Sequence, residues 1–355
     1  MVPTENHVGD QRATKTGNHV GDQRATSNKA SLVKKTVGEG LNRAAQACFH
    51  NAGQRLQELQ LLASQLECGA QVLDFGVQAR GGLAAGLQMA TICMAGRASI
   101  ELSSGDRSVW PGPWVQVATD HALEACMLSQ YAGWPVKHEK FFAMGSGAMR
   151  LRRGREELLL DLQAGDTDNL AVGTLECDEL PTNALAEAMA AECQVDPSQL
   201  YLAVAPTRST AGCVQVVARC VETCMHKLHE LGFELDRVLS AHGLAPVPPA
   251  TPDFAMGIGR TNDAILYGGQ VVLWVDADDE QLTDIGAKLP SSASPDFGRP
   301  FAEIFKQCNY DFYKIDPGLF SPAEITLMNM RTGNSWRFGA LRSDLVAQSF
   351  GTLNQ

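Results

Sequence analysis

The sequence predicts an α/β fold, and three observations carry that prediction. Tyr201 to Ala205 is a short, apolar, partly β-branched run of the kind that forms a buried strand. Pro206 to Gly212 then gathers Pro, Thr, Ser and Gly, which turn the chain and cap a helix. From Cys213 the period becomes helical, with Val214, Val217, Ala218, Val221, Met225 and Leu228 on one face. Gln215, Arg219, Glu222, His226 and His229 form a narrow polar stripe on the other side. In α/β proteins ligands bind at such loops, beyond the strand ends. From spacing alone, the commoner reading of Arg219 and Glu222 is a solvated i,i+3 ion pair worth ~0.2–0.5 kcal/mol. The sharper reading requires the stripe to face a cleft.

The remaining elements follow in chain order. Asn6 to Thr14, NHVGDQRAT, recurs as Asn18 to Thr26. The repeat is polar, mixed in charge and without amphipathic period, which predicts disorder over residues 1–30, and it is too short for a solenoid. Ser31 to Leu66 reads as helix, broken or closely packed at Gly53, and Ala70 to Val77 as strand. Asp74 in that strand is more simply a satisfied polar group than a site residue. Leu83 to Met94 is a second helix; the RGGLAAG leading into it lacks dinucleotide-binding GxGxxG spacing.

Trp114 to Thr119 reads as strand, with Thr119 capping a helix from Asp120 to Ala132 and His121 as a capped, partly buried histidine. Phe142 to Arg150, FAMGSGAMR, offers Gly145, Ser146 and Gly147 as a phosphate cradle with Arg150 for charge, although an ordinary Gly turn fits equally. Leu158 to Leu162 and Leu170 to Leu175 read as strands, and Pro181 opens a helix to Cys193. Past the central unit, Val238 to Pro252 reads as an extended loop. Arg260, Thr261, Asn262 and Asp263 form a polar entrance to a strand from Ala264 to Tyr267, which Gly268-Gly269 turns into Val271 to Val275 as a hairpin. That quartet suits a polar ring edge, and equally a turn that satisfies itself. Asp276 to Glu280 is a solvated acidic loop without the EF-hand pattern. Phe297 to Phe305 reads as helix, Phe312 to Phe320 and Ala323 to Met328 as extended, and Asp344 to Ser349 as a last helix.

The bulk numbers narrow the class. A chain of 355 residues can bury one large core or two ordinary ones. A formal charge of −11 and a pI near 5.2 argue against nucleic acid or an anionic membrane as partner. The longest apolar run, Leu83 to Gly96, is too short to span a bilayer, and the N-terminal stretch lacks a signal peptide's apolar core. Ten cysteines without a CxxC pair read as small buried residues in a reducing compartment, so a cytoplasmic protein is expected.

Three chemistries compete at the central helix. Glu222, His226 and His229 stand at i, i+4 and i+7, yet HExxH is absent and no metal is expected. Cys213 could be a thiol nucleophile activated by a helix N-terminus, but it has no histidine partner nearby in sequence. The third is carboxylate chemistry at Glu222 beside Arg219, which needs a substrate before it can be given a role.

VAPTRSTAGCVQVVARCVET resembles the signature segment of methenyltetrahydromethanopterin cyclohydrolase. TDHALEACMLSQYAGWPV, FFAMGSGAMR, GIGRTNDAILYGG and YDFYKIDPGLFSPA follow the family's pattern in the family's order, and the likeness runs from about Leu32 to Gly351. The resemblance implies two α/β domains with the pterin in a cleft between them, here drawn as 31–180 and 181–355, with discontinuous domains as the alternative. It implies reversible hydrolysis of N5,N10-methenyltetrahydromethanopterin to the N5-formyl product by an Arg-x-x-Glu pair, here Arg219 and Glu222, with no metal or organic cofactor, in a homotrimer. Candidate substrate contacts are Thr207, Ser209 and Gln215 at the central turn, Gly145 and Ser146, and Arg260, Asn262 and Asp263. The N-terminal extension departs from the family pattern, and so does Arg208, where small residues stand in some members. A non-catalytic pterin-binding or carrier protein is the alternative; retention of both Arg219 and Glu222 weighs against it.

Overall fold

A computed structural model describes residues 37–351; the repeat-bearing segment 1–30 lies outside them. Two six-stranded mixed sheets organise the described chain. The first half supplies α1 (Leu41–Gly53), α2 (Leu56–Leu59), β1 (Leu62–Gln65), β2 (Gln71–Asp74), α3 (Leu83–Cys93), β3 (Ser99–Ser103) and β4 (Trp114–Thr119). The helix Leu123–Gln130 follows, then β5 (Trp134–His138), β6 (Phe141–Ser146), α4 (Met149–Arg153), α5 (Glu157–Asp161) and β7 (Ala171–Glu176). Next come α6 (Asn183–Cys193), β8 (Leu200–Ala205), α7 (Thr210–Val217), α8 (Cys220–Glu230), β9 (Val238–Pro246), α9 (Phe254–Gly268) and β10 (Gln270–Val275). The chain closes with α10 (Asp279–Gly286), α11 (Phe301–Gln307), β11 (Glu324–Asn329), β12 (Ser335–Gly339) and α12 (Ser343–Phe350).

The first sheet runs β1-β2-β8-β7-β6-β5, with β8 parallel to both β2 and β7. Every residue of β8 is buried, as a central parallel strand covered on both faces requires. One face packs on α1 and α3 through Leu41, Phe49, Met89 and Tyr201, the other on α6 through Leu185, Met189 and Leu202. The second sheet runs β12-β11-β10-β9-β4-β3, and a larger core joins it to α7, α8 and α9. Each sheet therefore draws strands from both sides of residue 180. Two glycines let the layers close up: a Cβ on Gly86 of α3 would stand 2.5 Å from Val214 of α7, and one on Gly243 of β9 would stand 2.5 Å from the Cys220 sulfur of α8.

Several sequence expectations are corrected. Leu62–Gln65 is a strand paired antiparallel with β2, not helix; Gln60, in the left-handed region with φ 55°, ends α2 first. Leu158 to Leu162 is not a strand, since Glu157–Asp161 is helical; a short apolar run has no period to decide between the two. Val238 to Pro252 contains a nine-residue strand, whose small residues serve close packing rather than a loop. Arg260 to Tyr267 lies inside α9, so neither the polar entrance nor the hairpin exists. Gly257 and Gly259 of the same helix let neighbours approach closely, Arg208 at the first and Ala302 at the second. Phe312 to Phe320 holds two short helical turns instead of extended chain. The helix expected from Asp120 starts at Leu123 and is wound in the wide π form, its end marked by the Tyr131 N–H donating to the Cys126 carbonyl at 2.7 Å. His121 is exposed, with its N–H on Thr119 Oγ1.

Candidate active site

The central unit folds as strand, capped turn and helix, with one unexpected feature. The Ser209 side chain accepts from the Gly212 N–H at 3.0 Å and caps α7. The helix then breaks: α7 ends at Val217, and α8 restarts with Arg219 as its N-cap residue. That break turns Arg219 inward and sets Glu222 in the first turn of α8, where the helix N-terminus favours a negative charge. The polar stripe does not face solvent there. Gln215 is fully buried, and Arg219 and Glu222 are each 5 % exposed.

Groups from both sides of the molecule converge on Arg219. Its Nη2 donates to Glu176 Oε1 at 2.7 Å, at the end of β7, and to Ser146 Oγ at 2.9 Å, at the end of β6. Its Nη1 donates to the Gln130 carbonyl at the end of the π-wound helix. Glu222 Oε2 stands 3.9 Å from the same Nη1, an ion pair beyond hydrogen-bond length. The constellation thus lies where strand ends of the first sheet meet a helix laid on the second. Close by, buried polar atoms have no protein partner: Arg219 Nε, Gln215 Oε1, Ser129 Oγ, Thr174 Oγ1 and both side-chain amide atoms of Gln130. Folded proteins rarely leave so many buried polar groups unpaired, and a polar ligand is one thing that satisfies them.

The electrostatics suit proton transfer. Burial pushes the Glu222 carboxyl up to about 7; Arg219 and Arg150 pull it down, and the Glu176 charge adds to the rise. Burial works against the Arg219 charge, but Glu176, Cys93 and Glu222 outweigh it and the guanidinium stays protonated. Beside them Tyr131 stacks on His226, with ring centroids 4.8 Å apart, and Arg150 lies 4.9 Å over the Tyr131 ring. A carboxylic acid poised near neutrality, held near a fixed cation and among unpaired donors and acceptors, is the arrangement of a general acid–base.

The other candidates fall into place as follows. Ser146 belongs to the constellation through its side chain, whereas Gly145 is a ladder residue opposite Trp134 and Leu175. The FAMGSGAMR backbone is no phosphate cradle: the Gly147 N–H is spent on the Ser129 carbonyl, and Arg150 is spent on Glu156 and the Met127 carbonyl. Thr207 sits half-buried in the turn, its carbonyl accepting from the Cys213 thiol. Arg208 pairs with Asp178 at 2.9 Å. Arg260 bonds the carbonyls of Ser349 and Pro249, Asn262 that of Ile258, and buried Asp263 the Phe301 N–H and Ser349 hydroxyl; the three are not brought to Glu222. Asp74 accepts four backbone N–H groups, from Gly76 to Ala79, and is a loop organiser. His226 faces Tyr131 and Glu230. Burial pushes the Cys213 thiol up to about 12, away from the thiolate form.

Glu176, Gln130, Ser129 and Thr174 escaped the sequence reading. The one local signal was an acidic residue closing the apolar run of β7, at a strand end where α/β sites form. Two clefts open elsewhere, of about 860 Å³ beside His121, His242 and Trp274 and of about 330 Å³ between α1 and β1–β2, and neither is lined by Arg219 or Glu222. The Arg219–Glu222 pair is buried, with 6 % of each side chain exposed.

A family profile described as Cyclohydrolase (MCH) matches residues 40–350. Methenyltetrahydromethanopterin cyclohydrolase of Rhodopirellula baltica is 48 % identical over 329 residues, 90 % of this chain and 97 % of that protein. The enzymes of that name from Methylobacillus flagellatus and Methanococcoides burtonii are 44 % and 39 % identical, covering 89 % and 84 % of this chain and 97 % and 94 % of their own. Similarity of this extent, over a span that includes both sheets and the buried constellation, makes the chain a member of the MCH cyclohydrolase family.

Proposed function

We propose that the chain hydrolyses N5,N10-methenyltetrahydromethanopterin reversibly to the N5-formyl compound, with Glu222 as general base and Arg219 as its orienting partner. The observation that carries the proposal is the buried Glu222 carboxyl, 3.9 Å from a guanidinium whose other bonds go elsewhere. The methenyl carbon bridges two nitrogens in an amidinium-like cation and is already electrophilic. Water adds its oxygen to that carbon while Glu222 takes one of its protons. The adduct's hydroxyl then becomes the formyl C=O as the carbon–N10 bond breaks, its proton passes to N10, the formyl group stays on N5, and the proton taken by Glu222 is released. In the reverse direction protonated Glu222 helps hydroxide leave. The substrate supplies its own positive charge, so the reading needs no metal or organic cofactor. A homotrimer, on the strength of the family resemblance, and a cytoplasmic location, from the composition and the cysteine usage, complete the proposal; among the described residues no helix is long and apolar enough to cross a membrane.

Following the loss of the methenyl chromophore against pH tests this reading. Hydrolysis uses the ionised base, and burial raises Glu222 to about 7, so kcat/KM should climb through neutrality and level off above it. Cyclisation uses the protonated acid and should fall over the same range. An acid limb in the ordinary carboxylate range, near pH 4 to 5, would exclude Glu222 as the titrating base. Cys213→Ser should leave turnover unchanged, since the thiol is buried and held protonated; lost turnover would favour thiol chemistry.

A further inference from the structure

We infer that Glu176 is a positioning residue: it draws the Arg219 guanidinium away from Glu222, so that the Glu222 carboxylate stays free to accept a proton. The inference rests on the reading of Glu222 as the base. The Arg219 guanidinium is held by Glu176, Ser146, the Gln130 carbonyl and, at longer range, the Cys93 sulfur, and makes only a long ion pair with Glu222. Nη2 is held by Glu176 at 2.7 Å and Ser146 at 2.9 Å, and Nη1 donates to the Gln130 carbonyl. Glu222, only three residues along the chain, is left at 3.9 Å.

An arginine free to choose could close a fork on the carboxylate nearer in sequence, because two parallel N–H bonds to one carboxylate are the strongest arrangement open to it. Glu176 is placed to prevent this. It ends β7 between two neighbours, in register with Ala205 of β8 and Met144 of β6, so its backbone cannot follow the arginine. The result is a division of labour between two carboxylates. Glu176 takes the direct ion pair, and Glu222 keeps its acceptor lone pairs for water.

The groups facing Glu222 set the sign of the test. Arg219 and Cys220 face it from its own helix, Glu176 from β7, Arg150 from α4, and Cys126 and Tyr131 from the π-wound helix and its end. Arg150 is already committed to Glu156. In Glu176→Gln a negative charge near Glu222 disappears, and the guanidinium is held less strongly away from Glu222. Both changes favour the ionised form of Glu222 and make it a weaker base. Gln keeps the length and an oxygen acceptor for Nη2, so the packing is retained.

The experiment is the pH dependence of kcat/KM for loss of the methenyl chromophore in wild type, Glu176→Gln and Glu176→Asp, with Glu222→Gln as reference. The acid limb of Glu176→Gln should move down by about one pH unit, the scale on which an opposite charge at close range shifts a carboxylate, and the plateau should fall. Asp keeps the charge but is too short to hold Nη2, so its limb should move the same way by less. A limb that stays in place in whichever variant folds overturns the inference, even where overall activity drops, because a purely structural role lowers activity at every pH. If Glu222→Gln itself remains active, the base assignment has failed instead, and the two failures are told apart.

Discussion

Glu222→Gln should slow methenyl hydrolysis by about 10²–10⁴-fold in mildly alkaline buffer, the usual contribution of a positioned general base. The loss should fall on kcat, with KM little changed, because the proton is in flight only in the transition state. Gln has the volume of Glu and can still offer its carbonyl oxygen toward Arg219, so the fold should survive. Stability should in fact hold or improve: the wild-type carboxylate is buried and raised to about 7, and a neutral amide is spared that desolvation. Single-turnover loss of the chromophore, with a parallel thermal melt, checks both halves. A variant that melts normally and loses less than about tenfold in rate would remove Glu222 from the mechanism, since that lies below the range for general base catalysis.

The local parts of this site were legible in the sequence, and the non-local parts were not. The β8 strand and the Ser209 cap rest on short-range patterns that tertiary context seldom overrides, and both appear where the residues put them. Arg219 and Glu222 were visible as a pair, but their burial was not, because the polar stripe that normally marks a solvent face here meets the ends of β6 and β7. Glu176 lies 43 residues before Arg219; only the parallel pairing of β7 with β8 puts it in reach. Ser146 drew attention as part of a Gly turn, and it matters through its hydroxyl instead. The Arg260–Asp263 quartet misled for the opposite reason. Its polarity is spent inside a helix, with Asp263 satisfied by Ser349, 86 residues away, and nothing local announces such a partner. The break between α7 and α8 was likewise silent, since the apolar period continues across Ala218.

Arg219→Met should be the more damaging change, because it touches folding and chemistry together. It removes the cation between two carboxyl groups that are both largely buried, Glu176 and Glu222, with 14 % and 6 % of their side chains exposed. Leaving a buried charge without its partner costs about 3–5 kcal/mol, enough to lower the melting temperature clearly. The sign with pH follows from linkage. Without Arg219 the Glu222 carboxyl loses a cation that pulls it down and is held still further above the range it has in the unfolded chain, so the folded variant binds that proton more tightly than the unfolded one. The deficit should therefore be greatest in alkaline buffer and shrink as the pH falls through neutrality, where Glu222 takes up its proton. Adding Glu176→Gln to Arg219→Met removes one of the stranded charges and should restore much of the stability, while hydrolysis stays near the level of Glu222→Gln. That contrast separates the two roles of the arginine: its charge is needed to hold two acids in one buried place, and its position is needed to keep one of them working. If the double variant regained activity with stability, Arg219 would be a structural counter-ion only, and the orientation of Glu222 would have to come from the polar atoms of Gln130, Ser146 and Gln215 around it.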